Sequence, residues 1–327
     1  MIRYICILFC LCAMGTAARA QQDSQQLSAI GGMNFISGLN YPWNNCGWDF
    51  GAAWGHAGVS SAASRSKISG DFAYMHSKGV KVVRWFMMGD GRADPKFDSN
   101  GMVTGFDDYF YPDVDAALSI AQANGIKLIF VLFDFNMLAN AQTVNGVQLG
   151  GHAGIVANQS VTTSLLNNAL VPLFKRYGQN PAILAWEIIN EPENRFDAVS
   201  YSQVYSFAKQ VAEAVHANTS QLVTLGSARR EYVTQWQGLG LDFYEFHYYE
   251  QMPLSYASSL SPCKLDKPCV LGEYQTKNAS RPITDYLDTA LNNGFGGAFP
   301  WSLDAQDNYS AFTSFADDYS AWAQAHR

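Results

Sequence analysis

The sequence predicts an α/β fold, a (β/α)8 or TIM barrel in a single domain. Eight short apolar runs alternate with segments long enough for a helix, as consecutive βα units require. Polar residues recur at the carboxyl ends of those runs, where such a barrel builds its site. No glycine-rich loop of the form G-x-G-x-x-G or G-x-x-x-x-G-K follows any run, which disfavours the alternative, an open doubly wound sheet.

Residues 1–20 read as a secretory signal peptide. Arg3 precedes an apolar run from Tyr4 to Met14, and Ala18-Arg19-Ala20 offers a small-x-small cleavage site. A lipoprotein acylated at Cys10 or Cys12 is the weaker alternative. The apolar centre is too short to span a bilayer, and no later stretch is long enough. The barrel is therefore assigned to residues 21–327, secreted to the extracellular space or periplasm.

Residues 30–37 are expected as the first strand, followed by an aromatic loop over 38–55 that carries Tyr41, Trp43, Trp48, Phe50 and Trp54. Ile68, Phe72 and Met75 have helical spacing within 67–78, and Gly79 ends that helix. The run VKVVRWF (80–86) is the second strand, with Arg84 near its far end. A long polar loop then leads to a helix over 113–124, capped by Asp113 and closed by Gly125. The third strand, IKLIFVLFDF, ends on Asp134 and Asn136. Further along are a helix over 161–177, a strand over 183–190, a helix over 201–217 and a strand over 222–227. A short helical stretch near Glu231 precedes the sixth strand, 243–249. The seventh strand covers 269–273, a helix 283–293, the eighth strand 297–301 and a last helix 311–325.

The fourth strand is the most informative. In ILAWEIINEPE apolar residues give way abruptly to Asn190, Glu191, Pro192 and Glu193, as at a buried strand meeting solvent. Pro192 denies the ladder a donor, so Glu191 is expected to end the strand. Glu187 shares the strand parity of Glu191 and is expected to point into the barrel, paired with a cation such as Arg84.

Composition excludes several classes. The net charge of −7 becomes more negative once Arg3 and Arg19 leave with the leader, so nucleic acid is an improbable partner. Eight Trp and 17 Tyr suit flat, uncharged ligands such as sugar rings, although many must simply be core. No H-E-x-x-H or G-x-S-x-G pattern occurs, and no metal or cofactor is called for. Asp98-Ser99-Asn100-Gly101 lacks the closing acid of a calcium loop and reads as a turn. Asp107, Asp108, Asp113 and Asp115 read mostly as a solvated face and a helix start. In an oxidising compartment Cys263 and Cys269 are expected to pair, leaving Cys46 free.

At the predicted strand ends lie Arg84, Asp134, Asn190 with Glu191, His247 with Tyr249, Glu273, and Trp301. Glu191 and Glu273, on the fourth and seventh strands, would face each other across the mouth. A protonated and an ionised carboxyl in that arrangement are what cleavage of a glycosidic bond requires.

WEIINEPE around Glu191, FHYY around His247, VLGEY around Glu273 and PWS at the eighth strand resemble the retaining β-glycosidases of clan A, closest to glycoside hydrolase family 5 with its cellulases and β-mannanases. The resemblance runs from GMNF to PWSL. It implies Glu191 as acid/base and Glu273 as nucleophile. It also implies Asn190 on the sugar 2-hydroxyl, Arg84 and Tyr249 holding Glu273, His247 lining the −1 subsite and Trp301 as its stacking floor. A covalent mechanism implies carboxyl groups about 5 to 5.5 Å apart. Many members carry a histidine at the end of the third strand, where this chain reads LFDFN, so Asp134 or Asn136 is expected to meet sugar hydroxyls there. Trp43, Trp48 and Trp54 are either subsite platforms or loop packing.

The expectation is a monomeric, cofactor-free endo-β-glycanase acting on a β-linked polysaccharide of cellulose, β-mannan or exopolysaccharide type. The rivals are a carbohydrate-binding barrel without activity and a transglycosylase using the same site.

Overall fold

The computed structural model describes residues 30–303 and 305–326, so the expected leader over 1–20 lies outside the described residues. Eight parallel strands close into a barrel: β1 (Ile36–Asn40), β2 (Val82–Phe86), β3 (Lys127–Val131), β4 (Ile183–Asn190), β5 (Leu222–Ser227), β6 (Tyr244–Tyr248), β7 (Cys269–Gln275) and β8 (Gly297–Trp301). Each pairs with its neighbours in chain order, and β8 returns to β1. Outside them pack α1 (Ala62–Ser77), α2 (Phe110–Ala123), α3 (residues 159–177, with a π-turn at Leu166–Leu170), α4 (Tyr201–Asn218), α5 (Ile283–Asn292) and α6 (Ala316–Ala325). Only a 3-10 segment, Arg230–Trp236, follows β5.

The expected barrel is present, with local differences. Ile30 and Met33 form a separate turn through Gly31 and Gly32, both at positive φ, so β1 starts at Ile36 and runs through Gly38. At Gly38 a Cβ would stand 2.2 Å from Phe299. Helix α1 starts five residues before Lys67. Helix α2 starts at Phe110, where the Asp107 carboxylate accepts from the Tyr109 and Phe110 N–H groups. Asp113 is therefore not its cap. It is fully buried and accepts from Gly51 N, Ser60 N and Ser60 Oγ, tying α2 to the β1–α1 loop. The expected solvated face is wrong for this residue because its partners come from a distant loop. Asp98 does organise a turn, accepting from Asn100 N and Met102 N, and Cys263 and Cys269 are bridged.

The barrel interior has three tiers. At the amino end Ile36, Val82, Ile129, Ala185, Val270 and Phe299 form an apolar plug closed by Ile30. At the mouth Phe86, Val131, Tyr249 and Trp301 cluster, with Trp43 against them. Between them lies a polar tier of Asn40, Arg84, Glu187 and Glu245, each at most 1% exposed. Gly226 on β5 and Gly272 on β7 make room for it. A Cβ would come within 2.4 Å of Glu187 Oε1 at the first and 2.1 Å of Glu245 Oε1 at the second.

Candidate active site

Arg84 is the hub. Its Nε and Nη2 donate to the two oxygens of Glu187 at 2.6 and 2.7 Å, Nη1 to Asn40 Oδ1 at 3.0 Å and Glu273 Oε1 at 2.6 Å, and Nη2 also to Asn190 Oδ1 at 2.7 Å. All five guanidinium N–H groups thus have acceptors, and a buried cation is matched by carboxylates on two strands. Glu187 does pair with Arg84, but the parity argument fails. The β4–β5 register shifts between Glu187 and Asn190, so Asn190 also turns inward although it is three residues on.

Strand β4 ends at Asn190, as the expected span 183–190 has it, and not at Glu191 as the Pro192 argument placed it. Glu191 stands just beyond it in the left-handed region at φ 47°, its N–H donating to Gly226 O. A following proline disfavours the right-handed helical region at this position, and a left-handed residue with a Cβ costs about 1–2 kcal/mol. That conformation turns the carboxyl back over the mouth. There Oε1 lies 2.7 Å from His247 Nδ1 and Oε2 accepts from Asn194 Nδ2 at 2.7 Å.

Glu273 sits deeper. Oε1 takes the Arg84 bond and Oε2 accepts from the Tyr249 hydroxyl at 2.6 Å. Burial raises its pKa above the usual carboxylate value, a shift that His247, Arg84 and Tyr249 offset only in part. One strong donor on each oxygen favours the ionised form. Tyr249 stays a phenol donor, because burial and the Glu273 charge push it far up. Burial, then the charge of Asp134, pushes Glu191 up to about 8. His247 is driven down to about 4 by burial, so it is a neutral imidazole between the two carboxyls. Two adjacent glutamates thus have separate proton-holding roles available.

Donor atoms of Glu191, His247 and Glu273 lie within 4.8 Å of one another. Among the described residues this is the group with metal-ligand spacing, but Glu273 has both oxygens engaged by protein donors. One oxygen of Glu191 and one of Glu273 lie within 4.8 Å of each other, a spacing compatible with the carboxyl separation of about 5–5.5 Å that a covalent mechanism uses.

Above the pair is a cavity of about 310 Å3 lined by Trp43, Phe86, Asp134, Tyr249 and Trp301 among others. The Trp301 indole is fixed by Nε1–H donation to Asp307 at 2.7 Å, and the Trp301–Ser302 peptide is cis. Asp134 accepts from Asn190 Nδ2 at 2.8 Å and from Asn136 N at 2.9 Å. It faces the cavity but is largely occupied in orienting Asn190, which leaves one Nδ2–H for a ligand. Trp43 packs edge-on to Trp301 and Phe86, while Trp48 and Trp54 lie further out.

The family model described as Cellulase (glycosyl hydrolase family 5) matches residues 50–307. The chain belongs to glycosyl hydrolase family 5. It is a retaining O-glycoside hydrolase. Two mannan endo-1,4-beta-mannosidases are each 25% identical to it: that of Cryptopygus antarcticus, over 84% of this chain and 83% of its own length, and that of Mytilus edulis, over 88% and 89%. The endo-1,4-beta-mannanase structure from Eisenia fetida superposes with a TM-score of 0.75 at 24% identity, covering 89% of this chain and 91% of that one. The Mytilus edulis β-mannanase gives 0.73 at 23%, covering 89% and 92%. These two likenesses concern the fold.

Around the cleft of this family 5 barrel stand Glu191, Glu273, Asn190, Asp134, Tyr249 and Trp301 from strand ends and Trp43 from the β1–α1 loop, with Arg84 and His247 beneath the carboxyls. Three contributors were missed. Asn40 ends β1 just as the other polar residues end their strands, so that signal was available. Asn194, three residues after Glu191, and Glu245, in the middle of an apolar run, gave no comparable signal. Glu245 has neither oxygen hydrogen-bonded, and Oε1 lies 3.1 Å from Arg84 Nε. Burial, then the charge of Glu187, raises its pKa well above the carboxylate range, against the pull of Arg84.

Proposed function

We propose that this protein is a secreted endo-β-mannanase that cleaves β-1,4-mannan by double displacement, with Glu191 as acid/base and Glu273 as nucleophile. The observation that carries the mechanism is the unequal environment of the two carboxyls. Glu273 is held by a cation and a phenol, whereas Glu191, its side chain 13% exposed, lies against a neutral imidazole and favours its proton near neutral pH. The mannan reading is supported by the activity named for the relatives, and secretion by the leader pattern in residues 1–20.

In the first step a Glu273 oxygen bonds to the anomeric carbon, the bond to the leaving sugar oxygen breaks, and that oxygen takes the Glu191 proton. In the second, Glu191 removes a proton from water, the water oxygen bonds to the same carbon, and Glu273 departs as a carboxylate. In this reading the free Nδ2–H of Asn190 donates to the 2-hydroxyl, with Trp301 beneath the ring.

The test is a panel of β-mannan, cellulose, β-glucan, xylan and bacterial exopolysaccharides, run beside Glu191→Gln and Glu273→Gln. Internal cleavage of mannan, abolished in both variants, is expected. Cleavage of another glycan with mannan untouched would overturn the substrate. Binding without any hydrolysis would favour the carbohydrate-binding rival, and product analysis at high acceptor concentration separates transglycosylation.

A further inference from the structure

Glu193 stands two residues beyond Glu191, in the 3-10 turn Pro192–Arg195, and the double displacement gives it no role. It is nevertheless buried, at 9% exposure. Its Oε1 accepts from Ser227 Oγ at 3.0 Å and from Trp236 Nε1 at 3.0 Å, and its Oε2 accepts from Ala228 N at 3.1 Å. Trp236 Nε1 also donates to Ser227 Oγ at 2.7 Å, which closes the three side chains into a ring. Trp236 is itself buried and packs on Tyr201 at the start of α4, with ring centroids 5.5 Å apart.

Ser227 ends β5 and Ala228 follows it. Just before them, Gly226 O accepts the Glu191 N–H at 2.7 Å. The segment from Glu191 to Glu193 is thus fastened to three consecutive residues at the carboxyl end of β5, by backbone at one end and by a carboxyl at the other. Burial pushes the Glu193 carboxyl up to about 7, against the pull of neutral donors. A carboxyl buried on those terms contributes little net stability; what it contributes is position.

The conformation held in this way is a strained one. Glu191 lies in the left-handed region, where a residue with a Cβ persists only if its surroundings over-determine it. Asn194, whose amide donates to the Glu191 carboxyl, comes directly after Glu193. With the clasp open, the turn is free to leave β5 and Glu191 to relax to the extended conformation favoured before a proline, which swings its carboxyl away from the mouth.

We propose that Glu193 is a positioning residue for the acid/base: its clasp on the end of β5 holds Glu191 in the conformation that aims its carboxyl at the leaving oxygen. The proposal rests on the reading of Glu191 as the acid. Glu193 is not among the residues lining the cleft and acts through Glu191.

The test compares wild type, Glu193→Ala, Glu193→Gln and Glu191→Ala, with folding checked by thermal melts. Two substrates are used: the glycan cleaved in the panel, and a 2,4-dinitrophenyl β-glycoside of the same sugar, whose leaving group needs little proton donation. Misplacing a catalytic group by about 1 Å costs on the order of 100-fold. Glu193→Ala should therefore lower kcat/KM on the glycan by about ten- to hundred-fold, through kcat, and on the aryl glycoside by less than about three-fold. Glu193→Gln, which keeps the shape and one acceptor oxygen, should recover part of the loss. Equal loss on both substrates, or undiminished cleavage of the glycan by folded Glu193→Ala, overturns the proposal. If Glu193→Ala does not fold, Ser227→Ala removes one donor of the clasp and is read by the same criterion. Glu191→Ala separates the two levels. Equal loss in that variant overturns the acid reading and the proposal with it, whereas selective loss there beside equal loss in Glu193→Ala overturns the clasp alone.

Discussion

Glu187 receives two hydrogen bonds from Arg84, at 2.6 and 2.7 Å, with both side chains fully buried. Glu187 touches no part of the cleft, yet it fixes the plane of the guanidinium whose other edge reaches Glu273 and Asn190. Removing one member of a buried pair leaves an uncompensated charge and typically costs roughly 3–5 kcal/mol. Glu187→Ala is therefore expected to lower the unfolding free energy by that order and to reduce kcat. Glu187→Gln, which keeps the shape and an acceptor, should recover part of the stability. Denaturant unfolding and kcat measured on both variants check this.

Asn194 donates to Glu191 Oε2 and so favours its ionised form. With Glu191 at about 8, kcat/KM should fall as pH rises through that value, because the acid is lost. Asn194→Ala removes a donor to the carboxylate, so the alkaline limb should move to higher pH. A pH–rate profile in which this limb stays put or moves down would contradict the assignment.

Tyr249→Phe acts on the opposite limb. A hydrogen bond to a charged group contributes about 1.5–3 kcal/mol. Its loss raises the Glu273 pKa, so activity on the acid side should disappear at a pH higher by about one unit or more. The alkaline limb should change little, which distinguishes this variant from Asn194→Ala.

Asp94 provides a stability test away from the site. Its carboxyl is pushed up to about 8 by burial, then by the charge of Asp107, and Oδ2 has no hydrogen-bond partner. An acid whose folded pKa is raised contributes stability that is full below its unfolded value and lost as pH rises through the folded one. Stability should therefore decline between about pH 4 and 8. Asp94→Asn keeps a neutral group there and should flatten that decline in thermal melts run across the range.

Glu191→Ala should slow cleavage of mannan on the order of 10²–10⁴-fold, the usual contribution of a general acid. An aryl glycoside with an acidic phenol as leaving group needs little proton donation, so its first step should be far less affected. Equal loss on both substrates would count against the acid role.

Alternation of strand and helix, and the positions of Glu191, His247, Tyr249 and Trp301 at or just past strand ends, were legible because a barrel strand declares itself by a short apolar run and its end by polar residues; Arg84 and Glu273 sit further down their strands. Pro192 marked the end of β4 to within one residue. The left-handed turn at Glu191 was not legible: it follows from the bulge against β5 and the bond to Gly226 O, neither of them local. Asp113 was misread for the same reason, since its partners Gly51 and Ser60 lie more than fifty residues away.

The chain by itself determined an eight-stranded barrel with two glutamates at its mouth and a cation on β2, because these depend on hydrophobic period and residue chemistry. Tertiary structure alone set how differently the two carboxyls are surrounded. That depends on burial and on donors from other strands: Arg84 and Tyr249 for Glu273, His247 and Asn194 for Glu191. It also decided that Glu245 is buried beside Arg84 inside the barrel, and that Trp54 and Arg92 form a second cavity, because hydrogen-bonded closure and loop packing bring together residues that no spacing in the sequence relates.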